Sequence, residues 1–330
     1  MTMKKIIPFL LLTLVIVVGA VFFFNKSKKT QPISEQPVQL TKVKVGYMPF
    51  AANWAMFLAL DHNMFENEGL EVEPVMFTSG TDAANALAQG DIAAHAINTF
   101  ADLFNIEART PGTFKMLIVQ QLSDEMNNEA LVVNKNSDIT SIEQLTGKKI
   151  GITPGVFSEV MVKKAYEKEI NFDQRTQLIK LPPQSQLSAL ETGQIDGLIA
   201  YEPLITTGLA NDAIRVLDYH SYGRVKEPFP VGGYTLSTKF MEENPEVSQK
   251  VAKVLLRALE YGEQNPSETV PVIAKYTNLS EDIVAKVKQN ESMAVTDLQQ
   301  GYFDNVIKLY YDLGLVDTKI ENANFGYEAQ

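Results

Sequence analysis

The sequence predicts an α/β protein built from two similar lobes, and three observations carry that expectation. A strand–turn–helix unit at residues 42–60, KVKVGYMPFAANWAMFLAL, is echoed at 148–160 as KKIGITPGVFSEV. A second pair follows downstream, NALAQGDI at 85–92 and SALETGQI at 188–195. In it Ala86, Leu87, Gly90 and Ile92 match Ala189, Leu190, Gly193 and Ile195 at one constant offset. Successive strands also run into loops rich in Ser, Thr, Asn and Gly, and in an open parallel sheet ligands bind just beyond the strand ends.

The first unit opens with a strand over 42–47, where Val43 and Val45 alternate with Lys42 and Lys44, the period of a half-buried strand. Asn53 is placed to cap a helix formed by Ala55, Met56, Leu58, Ala59 and Leu60. Tyr47 and Trp54 flank the intervening turn, whose free N–H groups and helix dipole suit an anion or an acceptor atom of a ligand. Gly69 stops the helical stretch and 70–77 reads as the next strand. The polar turn Thr78-Ser79-Gly80-Thr81-Asp82 opens a helix capped by Ser79 or Thr81, and Gly90 ends it in the left-handed region. A third strand is expected over 91–97, ending at Asn98-Thr99 where another helix begins, and a fourth over 115–121.

A strand over 129–134 then crosses from the first lobe to the second. Residues 142–147 form a short helix with a Gly stop, followed by a strand over 149–153 and the turn Pro154-Gly155. Phe157, Met161 and Ala165 lie on one stripe of the following helix. The second lobe continues with a strand over 176–180, a helix over 184–191 and a strand over 195–201 that ends in Tyr201-Glu202-Pro203. Pro203 suits the first turn of the next helix. After a last strand at 214–217, the run PFPVGGY at 228–234 reads as a hinge back to the first lobe. The rest of the chain is expected to be helical, with stripes at Val247, Val251, Val254 and Leu255, at Ile283, Val284 and Val287, and at Phe303, Val306, Ile307 and Tyr310.

Composition narrows the function. The net charge is −11, yet the first thirty residues hold five Lys and no acid, so the remainder sets 24 basic against 40 acidic residues. Such a surface disfavours nucleic acid and anionic membrane faces. The absence of Cys excludes disulfides, thiolate nucleophiles, Cys-bound zinc and iron–sulfur clusters. Lys4 and Lys5 precede an uncharged apolar run from Ile6 to Phe24. At ~1.5 Å per helical residue this run just spans a hydrocarbon core of ~30 Å. Residues 1–25 therefore read as a signal peptide or membrane anchor, 26–41 as a tether, and the globular part as extracytoplasmic.

No phosphate-cradling G-x-x-x-x-G-K-[ST] run is present, no H-E-x-x-H helix and no G-x-S-x-G elbow. His62, His95 and His220 are isolated, and His95 falls in a strand where a packed ring is expected. No cofactor or metal is implied. Glu202, at a strand end beside Tyr201, either accepts hydrogen bonds from a ligand or serves the dipole of the following helix.

The runs VGYMPFAANWAMFLALDHNMFENEGLEVEPVMFTSGTDAANALAQGDIAAHA, GKKIGITPGVFSE and ALETGQIDGLIAYEPL resemble the solute-binding proteins of bacterial ABC importers, in the branch that binds nitrate, sulfonates and thiamine pyrimidines. The resemblance extends from about Lys42 to Tyr310. It implies the two-lobed type II periplasmic-binding-protein fold, with lobe 1 at 42–130 plus 232–330, lobe 2 at 131–231 and a ligand cleft between them. Carried onto this chain, the cleft is lined by Tyr47, Asn53, Trp54, Ser79, Gly80, Asn98 and Thr99 from lobe 1. Lobe 2 contributes Thr153, Gly155, Phe157, Ser158, Tyr201 and Glu202. The implied function is capture of a small organic solute or anion by lobe closure and delivery to a separate permease and its ATPase. Two alternatives stand beside it. One is a pyrimidine synthase of the same fold, which the resemblance ties to a Cys-containing motif missing here. The other is a membrane-tethered ligand sensor.

Overall fold

The computed structural model describes residues 40–327 apart from 174, 220, 319 and 321–324. The expected leader at 1–25, nearly all of the tether and His220 lie outside the described residues. No described helix is long and apolar enough to cross a membrane.

The chain first lays down β1 (Thr41–Tyr47), β2 (Leu70–Met76), β3 (Ala94–Thr99) and β4 (Phe114–Leu122). It then builds β5 (Glu129–Asn134), β6 (Lys149–Ile152), β7 (Gln177–Lys180), β8 (Gly197–Tyr201) and β9 (Ile214–Tyr219), and returns with β10 (Phe229–Ser237) and β11 (Glu291–Ala294). These form two sheets, a six-stranded one in the order β11-β4-β10-β3-β1-β2 and a five-stranded one in the order β7-β6-β8-β5-β9. Both are mixed. β1 runs parallel to β2 and β3, and β6 parallel to β7 and β8. β10 is antiparallel to β3 and β4, and β5 antiparallel to β8 and β9.

The paired sequence segments fold alike. Gly90 (φ 76°) and Gly193 (φ 71°) each follow a helix in the left-handed conformation, after α2 (Gly80–Gln89) and α5 (Pro183–Glu191). Two expectations need correction. Most of the 228–234 stretch expected as a hinge is strand, because Phe229–Ser237 pairs with β4 on one side and β3 on the other. A β-carbon on Gly232 would strike the Asn98 carbonyl oxygen, and one on Gly233 that of Ile118, so the glycines serve close strand packing. The C-terminal part is also not wholly helical, since Glu291–Ala294 adds an edge strand to β4.

Helix α1 (Trp54–Asp61) packs against α8 (Pro245–Gln264) and α9 (Pro266–Thr277). Val251, Val254, Leu255 and Ala258 of α8 are buried with Trp54, Ala55 and Met56 in one core. Each such Val or Leu contributes roughly 1.5–3 kcal/mol by leaving water. A second core gathers Phe100 and Phe104 of α3 (Phe100–Glu107), Phe157 and Met161 of α4 (Val156–Tyr166), Phe229, and Tyr310 of α11 (Tyr302–Asp312). Residues from both sheets share this core, and it forms one wall of the site.

Candidate functional site

A cavity of about 100 Å³ opens where loops from the two sheets meet. The six-stranded sheet supplies Met48, Phe50 and Ala52 after β1, Gly80 at the start of α2, and Ile97, Thr99 and Asp102 around the junction of β3 and α3. The five-stranded sheet supplies Thr153, Pro154 and Gly155 after β6, Phe157 and Ser158 in the first turn of α4, and Tyr201 at the end of β8. The Phe50 and Tyr201 rings, one from each side, stand 6.1 Å apart. Phe157 lies parallel to Tyr310 at 6.2 Å and edge-on to Tyr222 at 5.4 Å. These rings give the walls apolar, polarisable faces suited to a planar group.

Local sequence explains the placement. The pairing of β10 with β3 advances two residues on β10 against three on β3 between Gly233–Asn98 and Thr235–His95. The extra residue makes a bulge there, and Ile97 adopts φ 65°, a costly conformation for a β-branched side chain, at the cavity wall. Thr99 caps α3 by accepting from the Asp102 N–H at 3.2 Å. It also donates to Asp102 Oδ2 at 2.7 Å, while Thr81 Oγ1 donates to Oδ1 at 2.8 Å. Burial pushes the Asp102 carboxyl above its ordinary range, and the two threonine hydroxyls pull part of the way back.

Seven of the residues expected at the site meet at this cavity: Gly80, Thr99, Thr153, Gly155, Phe157, Ser158 and Tyr201. The other six are placed elsewhere. Tyr47 packs at right angles to the Phe57 ring, with ring centres 5.8 Å apart. Asn53 is buried and caps nothing with its side chain; its Nδ2 donates backward to the carbonyls of Met48 and Phe50, tying the turn together. Trp54 lies in the core, where its ring fills the space beside Gly262 on α8. Ser79 caps α2, accepting from Asp82 N–H at 3.3 Å. Asn98 is buried in β3 and neither polar atom of its side chain has a partner. Glu202 takes the helix-serving role, accepting from Thr206 N–H at 3.0 Å and Thr206 Oγ1 at 2.8 Å in the helix that follows it.

Asp102, Asn128, Tyr222 and Asn290 line the cavity without having been expected there. Asp102 carried a readable signal: Thr99-Phe-Ala-Asp102 is a Thr-x-x-acid capping pattern immediately after a strand. Asn290 carried none, because it arrives from the distant segment before β11. Among the described residues, no Lys, Arg or His lines the cavity and no group of acids and histidines could hold a metal. His95 is fully buried as expected, and burial drives its pKa down to about 3.

With the geometry in place, comparison with known proteins gives a consistent result. The model of the NMT1-like family matches residues 36–278. A putative aliphatic sulfonates-binding protein of Bacillus subtilis is 24% identical over 83% of this chain and 81% of its own length. The taurine-binding periplasmic protein of Escherichia coli is 25% identical over 76% of this chain and 78% of its own. In fold, the chain is similar to the alkanesulfonate-binding protein of Xanthomonas axonopodis pv. citri, solved bound to MOPS. The TM-score is 0.67 at 17% identity, over 88% of this chain and 99% of that one.

Proposed function

The chain belongs to the NMT1-like family, and from that premise we propose that it is the solute-binding component of an ABC importer. It takes up a small organic solute or anion outside the cytoplasm and hands it to a permease driven by a separate ATPase. The observation that carries the reading is the cavity lined from both sheets, whose two sides meet in the tilted contact of Phe50 with Tyr201 at 6.1 Å. A chain that crosses between sheets after β4 and again before β10 has two connections about which lobes can part and close. In this reading the lobes are residues 42–130 plus 232–330 and residues 131–231, and closure brings Phe157, Tyr201 and Phe50 around the solute. The apolar leader at 1–25 directs export or anchors the chain. The named relatives are themselves binding proteins, which favours capture over chemistry.

A thermal-shift panel of small sulfonates, nitrate, pyrimidines and flavin-like compounds tests the reading on the full chain. A true ligand at a hundred times its Kd stabilises the folded form by about 2.7 kcal/mol, a readily visible rise in Tm. A panel that leaves Tm unmoved, together with purified protein carrying no bound solute by mass spectrometry, refutes it.

A further inference from the structure

We propose that the solute carries a cationic or N–H-donating nitrogen on a planar body, and that Asp102 and Asn290 are the acceptors that select it. The inference rests on the solute-capture reading above and deepens it to a substrate class.

The argument is a count of donors and acceptors. Asp102 accepts one hydrogen bond at each carboxylate oxygen, from Thr81 and Thr99. A carboxylate has about four acceptor positions, so two remain open. No ion pair satisfies it among the described residues. Arg109, which lines the neighbouring cavity behind Asp102, spends its Nε on the Asn105 carbonyl at 2.9 Å.

Asn290 supplies the independent observation. It is 4% exposed and its Oδ1 has no donor. The orientation of its amide follows from the neighbouring network. Gln120 Nε2 donates to the Ala52 carbonyl and to Ser292 Oγ, each at 3.0 Å, which leaves Gln120 Oε1 as an acceptor. The end of Asn290 that faces Oε1 must therefore be its NH₂, at 3.5 Å, and the unpartnered end is an oxygen. A buried acceptor without a donor costs on the order of 1–3 kcal/mol, and a ligand N–H recovers that cost. The open acceptor positions of Asp102, the unpaired Oδ1 of Asn290 and the absence of a lining Lys, Arg or His favour a nitrogen cation or N–H donor at that end of the cavity, and place a bare anion there at a disadvantage. Phe50, Phe157 and Tyr201 provide aromatic surface for a ring.

Calorimetric titration of the full chain with three probes sharing one ring decides the matter: benzamidine, benzamide and benzenesulfonate. The expected order is benzamidine, then benzamide, with benzenesulfonate weakest by about tenfold or more. Asp102→Asn should bring benzamidine down to the level of benzamide. The wild-type series stands by itself should that variant fail to fold. Benzenesulfonate binding as tightly as benzamidine overturns the selection by Asp102 and leaves solute capture intact. Binding of none of the three also overturns it, and solute capture is then decided by the thermal-shift panel alone.

Discussion

A β-carbon on Gly80 would stand 2.5 Å from Asp102 Oδ2. The first residue of α2 and the third residue of α3 are thus fitted to each other, and the missing side chain is what lets the carboxylate lie between the two helix starts. Gly80→Ala should push the carboxylate off Thr81 and Thr99 while leaving both sheets intact. Because Gly80 sits at a helix start with an ordinary φ, the fold should lose about 1 kcal/mol or less. Benzamidine affinity should fall by about tenfold. Calorimetric binding measured beside a urea unfolding curve separates the two effects, and a large stability loss with unchanged affinity would contradict the fit.

Trp54 makes the opposite prediction. Its ring fills the space left by Gly262, inside the core shared by α1 and α8. Trp54→Ala should cost about 3–5 kcal/mol of stability, as for other large core truncations. The folded fraction should bind solute as before. Trp54 is the chain's only tryptophan, so intrinsic emission should shift on unfolding and stay nearly constant on ligand titration. A strong ligand-dependent change in emission would place the ring nearer the solute than the core position allows.

The fate of Trp54 shows where sequence reasoning stops. The strand–turn–helix repeat, the matched Gly90 and Gly193 stops and the turn Thr153-Pro154-Gly155 were readable because backbone conformation depends on nearby residues. Which side of α1 faces inward was not. Its sequence, WAMFLALD, is apolar on every side, so periodicity gives no direction. The burying surface is α8 and α9, almost two hundred residues away in sequence. Asn290 was hidden for a related reason: β11 is a four-residue edge strand, and its site neighbours lie in distant loops. Asp102 was legible through its capping pattern, but a cap does not reveal that the acid also faces a cavity. The same distinction applies to Glu202, whose local helix-serving geometry was one of the two readings the sequence offered.

Asn290→Ala should separate binding from folding in a way that a structural asparagine would not. The side chain makes one long hydrogen bond to Gln120 and leaves Oδ1 unpaired. Removing an unsatisfied buried acceptor relieves roughly what its few contacts contribute, so stability should change by about 1 kcal/mol or less. Binding of an N–H donor such as benzamide should weaken by about tenfold, which calorimetry reads directly. A stability loss several times larger, with binding intact, would make Asn290 a packing residue.

Two buried groups should contribute to the pH dependence of stability with opposite signs. Glu129 opens β5 and accepts from Ser221 Oγ at 2.8 Å and from the Tyr222 N–H at 3.1 Å; Tyr166 donates its one hydroxyl proton to Ser221 Oγ at 2.6 Å, with Asp218 Oδ2 3.1 Å from the same oxygen. Burial raises its carboxyl from 4.5 to about 7, with nearby Asp218 adding to the rise and the Ser221 and Tyr222 donors opposing it. Between those values the folded protein keeps a proton that the unfolded chain has released, so stability falls as pH rises. His95 is held down from 6.5 to about 3 by burial, so the unfolded chain takes up the proton first and stability falls as pH drops through that window. The two slopes cancel where the windows overlap, so the joint contribution of this pair is flat from about 4.5 to about 6.5. Glu129→Gln should remove one slope and expose the other. The difference between wild type and variant in urea unfolding free energy should then fall by up to about 3 kcal/mol from pH 4.5 to pH 7. A difference that stays flat across that range would mean that Glu129 is ionised in the folded protein, and that Ser221 and the Tyr222 N–H are enough to hold its charge.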